Sequence, residues 1–382
     1  MPPLVDLLAG RIARRGPLPF DEVMEAALYD PRGGFYATGG AAGRHGDFVT
    51  SPEVGPLFGQ LVGRALDRWW SDLGRPDPFV VVEAGAGRGA LARSVLSGSP
   101  ASASSLRYLM VERSEALRAR HADHLDVVGP AFAFGPPLPD DDDDGPAAAT
   151  ADGPVVVSLS DLPSVDGPVI VLANELLDNL AFRVLERGPD GWLEVRAAAA
   201  ATGNSTAIVE LLVPADERLA AYADRLVTDV PVGARIPVQD AAAGWLRRAL
   251  DTAGRGGRVV LIDYAATSTM LAHRTWTDWL RTYAGHERGG HPFERLGAQD
   301  ITADVCVDQL ARVRPLTTDR TQAEWLTDLG IEELVDEGRR IWTERAHLGD
   351  LDAMRARSRI TEAEALLDPN GLGAFRVLEW ET

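Results

Sequence analysis

The sequence predicts an α/β fold built on a doubly wound parallel sheet, and three observations carry the prediction. From Phe79 onward, short buried strand patterns alternate with helical ones. A Gly-x-Gly-x-Gly turn, Gly85, Gly87 and Gly89, follows the first strand and opens a helix. Glu112 ends the next strand pattern about 20 residues beyond, where a parallel sheet places a ribose-binding acid.

Residues 1–28 carry short helical patterns, and Tyr29 to Gly46 reads as a Gly-rich, aromatic loop with Tyr-Asp-Pro and Gly-Gly turn signals. Ser51 is expected to cap a helix that has Pro52 at its first position. Along that helix Leu57, Phe58, Leu61, Val62, Ala65, Leu66, Trp69 and Trp70 share one apolar face, so the tryptophans belong to the core. Strands are expected at Phe79 to Glu83, Arg107 to Glu112, Val155 to Ser158, Val169 to Ala173 and Arg258 to Asp263. Residues 135–153, with acids unbroken from Asp140 to Asp144, read as a disordered surface loop without the spaced ligands of a calcium site. Next come an insertion, with strand-like pieces at Trp192 to Arg196 and Ala207 to Val213 and a helical piece at Leu219 to Leu226, and a long irregular stretch from Thr275 to Thr302, expected to cover the active site. Two helical segments and a last strand, Phe375 to Glu381, close the chain. The blocks so drawn are 1–75 (helical extension and covering loop), 76–185 (nucleotide-binding core), 186–240 (insertion on the substrate side) and 241–382 (rest of the core, with an active-site loop at 270–302).

Composition narrows the chemistry. All 38 cationic side chains are arginine, because the chain contains no lysine, so Schiff-base and pyridoxal phosphate chemistry and a P-loop are excluded. A net charge of -19 and a pI near 4.8 argue against nucleic acid as a partner and would attract a cationic substrate, although solubility alone explains the acidity equally well. Cys306 is the single cysteine, in a Val-Cys-Val run that reads as inert core; disulfides and thiolate zinc sites are excluded, and no metal is expected. The N-terminus lacks an apolar signal region and no run reaches membrane-spanning length, so the expected location is cytoplasmic, without a membrane partner. A homodimer is an open alternative that no residue pattern decides.

The stretch Val81 to Gly89, Val-Val-Glu-Ala-Gly-Ala-Gly-Arg-Gly, lacks the spacing of dinucleotide binders, and Glu83 ahead of its glycines would repel a pyrophosphate. An ammonium group suits Glu83, and two ribose hydroxyls suit Glu112. The ligand that carries both is S-adenosylmethionine. Asp161, after the third strand, is a candidate for the adenine amino group or a helix cap.

Several segments resemble the MidA-like methyltransferases: Tyr29-Asp-Pro-Arg-Gly-Gly-Phe-Tyr36, Gly46-Asp-Phe-Val-Thr-Ser-Pro-Glu53, Asn174-Glu175-Leu-Leu-Asp178, Tyr283-Ala-Gly-His286, Gln299 to Thr302, Thr321-Gln322 and Gly371 to Leu378. The resemblance implies a Rossmann-like class I methyltransferase sheet with helices on both faces, an N-terminal helical extension and family-specific insertions forming a substrate-side subdomain. It further implies N-methylation of a protein arginine, with Asp47, Thr50, Ser51 and Asn174 joining the cofactor site, Glu175 and Asp178 facing the acceptor, and His286 as proton acceptor or loop anchor. The alternatives are that Ser51 only caps a helix, Asp47 only fixes a loop, and Glu175 and Asp178 are one-turn neighbours on a solvated helix. The sequence departs from the family at Asp178-Asn179-Leu180-Ala181, Asp263-Tyr264-Ala265, Asp278-Trp279-Leu280 and Pro237, on the acceptor side. A small-molecule or other nitrogen or oxygen acceptor, and a non-enzymatic assembly factor that keeps the fold, are the alternatives.

Overall fold

Every position of the strand Phe79–Ala84 is buried, as suits a strand covered on both faces. It pairs in parallel with Leu106–Val111 on one side and Val169–Asn174 on the other. The computed structural model describes residues 4–38, 50–134, 153–202, 205–285, 287–348 and 350–382. Among them an eight-stranded sheet runs in the order Thr318–Thr321, Arg376–Glu381, Arg258–Asp263, Val169–Asn174, Phe79–Ala84, Leu106–Val111, Val155–Leu159, Val127–Val128. The chain steps from Phe79–Ala84 toward one edge and returns to its other side with Val169–Asn174. Loops leaving the carboxyl ends of these two strands therefore diverge, which opens a ligand crevice at that end.

The five expected parallel strands and the last strand all lie in this sheet. Two further strands, Val127–Val128 and Thr318–Thr321, were not expected; both are short, poorly buried edges that carry no hydrophobic alternation. The helix expected to run on from Ser51 is interrupted. Ser51–Val54 and Pro56–Asp72 are separate helices, because Pro56 disfavours helical backbone at Gly55. Thr50, not Ser51, occupies the cap position of the first. The acidic run from Asp140 to Asp144 lies outside the described residues.

Contacts divide the chain into two units, one of residues 1–48, 175–248 and 263–316, the other of 49–174, 249–262 and 317–382. The contiguous blocks read from the sequence cut across them. The second unit holds the eight-stranded sheet. In the first, Leu18–Pro19, Arg183–Arg187, Trp192–Thr202, Ser205–Pro214 and Arg235–Val238 form an antiparallel sheet. Leu185, Trp192 and Ile236 of this sheet pack with Leu219, Ala223 and Leu226 of the helix Glu217–Leu226. The stretch expected to be irregular, Thr275 to Thr302, carries regular elements among its described residues: the helix Trp276–Trp279 leads into a sheet of Leu280–Ala284, Glu287–Arg288 and Asp300–Ala303, with turns from 289 to 299. Its strands are too short for alternation to stand out against the intervening glycines. Among the described residues, no helix is long and apolar enough to cross a membrane.

Candidate functional site

Beyond Phe79–Ala84 the chain turns through Gly85, Gly87 and Gly89, with φ of 74°, 56° and 80°. Side chains other than glycine are strained in that region. Gly89 is also crowded, since a Cβ there would lie 3.2 Å from Met110 Sδ and Leu125 Cδ1. The turn is held from several directions. Gly85 and Ala86 donate their N–H groups to the Val111 carbonyl, at 2.9 and 3.1 Å, and Gly87 N–H donates to Glu112 Oε2 at 2.9 Å. The other carboxylate oxygen of Glu112 accepts Ser114 N–H at 2.7 Å. Gly87 also accepts, through its carbonyl, from His121 Nε2 at 3.0 Å, while His121 Nδ1 lies 2.8 Å from Ser158 Oγ.

Glu83 is buried beneath this turn. The Tyr108 hydroxyl donates to Glu83 Oε2 at 2.8 Å, and the Ala92 amide donates to it as well. Burial pushes its carboxyl up to about 8, against those two neutral donors. Glu112, also buried, is raised by the same cause. The sequence reading missed His121. A lone histidine carries no motif, and its partners lie 34 and 37 residues away.

The remaining expected cofactor residues are distributed as follows. Asn174 ends the strand Val169–Asn174, beside the switch point. Asp161 is exposed and accepts Leu162 N–H at 2.9 Å; no helix follows it, so the helix-cap alternative is corrected. Thr50 caps Ser51–Val54 without a side-chain bond to the helix, and Ser51 is fully buried, with Oγ donating to Gln322 Oε1 at 3.0 Å. Asp47 and His286 lie outside the described residues.

In the other unit the acceptor-side acids come together. Asp263 is fully buried and accepts the N–H groups of Leu177 and Asp178 at 3.0 and 3.3 Å. Asp178 is also buried, and the Thr302 hydroxyl donates to its Oδ2 at 2.7 Å. Its Oδ1 has no hydrogen-bond partner among the described residues. Asp178 sits on the one-turn 3-10 helix Leu177–Asn179, not on a solvated helix. Burial raises the Asp178 carboxyl to about 6, against the Thr302 hydroxyl and Arg281, and burial with the charges of Asp178 and Glu175 holds Asp263 above its usual range. Asp300, pushed up to about 7 by burial, accepts from Tyr36 Oη and Asn179 Nδ2, both at 3.1 Å. Asn179, where the sequence departs from the family pattern, is therefore part of this network. Half-buried Glu175 has φ of 50°, a left-handed conformation uncommon outside glycine and enriched at functional sites, and its charge raises Asp263 and Tyr264.

The family model described as "Putative S-adenosyl-L-methionine-dependent methyltransferase" matches residues 61–323. The chain belongs to this family. The methyltransferase is 29% identical over 313 residues to the mitochondrial protein arginine methyltransferase NDUFAF7 homolog of Drosophila melanogaster, a match covering 79% of this chain and 68% of that protein. It is 27% identical to mitochondrial NDUFAF7 of Mus musculus over 329 residues, 81% and 69% of the two chains. A Burkholderia thailandensis crystal structure bound to S-adenosyl-homocysteine superposes with a TM-score of 0.79 at 28% identity, covering 99% of this chain and 92% of that one. The MidA-like resemblance and the Rossmann-like methyltransferase fold are thereby borne out. The relatives' names are mitochondrial and lend no support to the cytoplasmic expectation.

S-adenosylmethionine is the methyltransferase's cofactor, and the cradle fits it. A carboxylate offers about four acceptor sites, and Glu112 has spent one on each oxygen, leaving one on each for a pair of ribose hydroxyls. Glu83, buried between neutral donors and raised to about 8, becomes the counter-charge of an ammonium group once that group displaces its proton.

Proposed function

We propose that this methyltransferase transfers the methyl group to a guanidinium nitrogen of a protein arginine. The observation that carries the reading is Asp178 Oδ1, a buried carboxylate oxygen without a partner among the described residues, set among Glu175, Asp263 and Asp300. A buried acceptor left unmade is costly, and a planar cation with several N–H donors satisfies it while adding positive charge beside the acids. The names of the Drosophila and mouse relatives support the same substrate class.

In this reading Glu112 accepts the ribose hydroxyls, Glu83 receives the methionyl ammonium, and the glycine turn allows close backbone approach. S-adenosylmethionine, when bound, supplies a methyl group on a cationic sulfur and leaves as S-adenosylhomocysteine. Glu175 and Asp178 would hold the guanidinium of the acceptor. Asp178 would take the one proton that the guanidinium nitrogen loses as it accepts the methyl group. Positioning and paired negative charge supply the catalysis.

The test is to incubate the purified protein with isotope-labelled S-adenosylmethionine and an extract from cells lacking the gene, then digest the proteins and look for methylarginine by mass spectrometry. Labelled methylarginine is expected with the wild-type protein. Asp178→Asn should lower its formation roughly 100-fold or more, as for loss of a transition-state contact, with S-adenosylhomocysteine affinity unchanged. Label confined to small molecules would overturn the arginine reading.

A further inference from the structure

We infer that His121 is a positioning residue for cofactor binding, its imidazole N–H fixing the Gly87 carbonyl and so the orientation of the glycine turn. A carbonyl only accepts, so the 3.0 Å contact requires the proton on His121 Nε2. Burial holds the imidazole below its usual range, which keeps it neutral. Nδ1 is then an acceptor, and the Ser158 hydroxyl at 2.8 Å donates to it.

An ordinary buried histidine could satisfy both nitrogens anywhere in a core. This one grips the middle of the turn. Glu112 Oε2 takes the N–H of Gly87 and His121 takes its C=O, so the peptide planes on both sides of a residue at φ 56° are fixed. The two clamps share an anchor at the end of the strand Val155–Leu159, where Ser158 holds the His121 ring and the Leu159 carbonyl accepts Glu112 N–H at 3.0 Å. Packing agrees, because His121 Cδ2 lies 3.7 Å from where a Cβ on Gly89 would stand. Without His121, Gly87 has the rotational freedom of glycine on its carbonyl side, and ordering the turn then opposes ligand binding.

The experiment measures S-adenosylhomocysteine affinity by calorimetry for wild type, His121→Ala, His121→Gln and Ser158→Ala, with folding checked by circular dichroism. Loss of a buried hydrogen bond to the turn predicts a Kd raised roughly tenfold in His121→Ala. His121→Gln, whose amide can donate to the same carbonyl, should recover most of the affinity, and Ser158→Ala should show a smaller loss in the same direction. Should His121→Ala fail to fold, nitrogen-15 NMR of the wild-type protein decides: His121 is expected as the neutral Nε2–H form, with ring shifts that move on adding S-adenosylhomocysteine. A folded His121→Ala with wild-type affinity, a His121→Gln no better than His121→Ala, or an Nδ1–H tautomer overturns the assignment. Wild-type binding in the same experiment tests the cofactor site separately.

Discussion

Glu83 is a buried acid whose donors, Tyr108 and the Ala92 amide, are both neutral, and burial has moved its carboxyl from 4.5 to about 8. Near neutral pH it is therefore mostly protonated, and an ammonium ligand has to drive the proton off. Linkage then requires that cofactor binding release protons and tighten as pH rises toward 8, at a rate of at most about tenfold per pH unit for one proton. Glu112, raised by the same cause, acts in the same direction. Calorimetry with S-adenosylhomocysteine at pH 6, 7 and 8, in buffers of different ionisation enthalpy, should show rising affinity and proton release, and Glu83→Gln should abolish most of both. An affinity independent of pH in the wild-type protein would show that Glu83 does not ionise on binding. The sequence revealed the identity and place of Glu83 but not its protonation state, which depends on Tyr108 and on burial under the turn.

Legibility also divides at the scale of elements. Phe79–Ala84 could be read because its residues are apolar except for Glu83 and because the glycines and Glu112 follow at fixed distances. The break at Gly55 had a local signal in Pro56, yet helical periodicity on both sides concealed it. What holds the second helix was not legible at all. Glu362, 305 residues from Leu57, accepts the Leu57 N–H through Oε2 at 2.9 Å, and Ser358 Oγ donates to Oε1 at 2.7 Å. It is buried, although an acid within a helix reads as solvated. Gly55 leaves room for it, since a Cβ there would collide with the Glu362 carboxyl group. Glu362→Ala strips an acceptor from the first turn of Pro56–Asp72 and should cost about 1–3 kcal/mol, measured by urea denaturation. Glu362→Gln, which keeps a carbonyl acceptor, should cost less. A loss within experimental error for Glu362→Ala would show that the helix start is held by packing alone.

For the whole molecule, the acids that most shape pH behaviour come from distant stretches and could not be grouped from sequence: Glu83 in one unit, Asp178, Asp263 and Asp300 in the other. All four carboxyls are raised in the folded protein. The native state therefore binds more protons than the unfolded chain above pH 4.5, so their stabilisation is complete below the unfolded pKa values and is lost as pH rises through about 6, 7 and 8. Self-repulsion at a net charge of -19 adds to that loss. Glu210, held down at about 2 beside His291 and Arg235, and Asp30, lowered by Arg32, act oppositely, but their stabilisation is lost only as pH falls below about 4.5. Stability without ligand should thus peak at about pH 4.5 and decline toward pH 8.5, while S-adenosylhomocysteine affinity climbs over the upper part of the same range. Thermal unfolding from pH 5 to 9, with and without the ligand, measures both. The melting temperature of the free protein should fall by several degrees across that range, and the ligand-induced rise should grow from pH 6 to 8. A free protein most stable at pH 8 would mean that these acids are solvated and charged in the folded state, and the raised cluster could not then be the charge that an arginine acceptor answers.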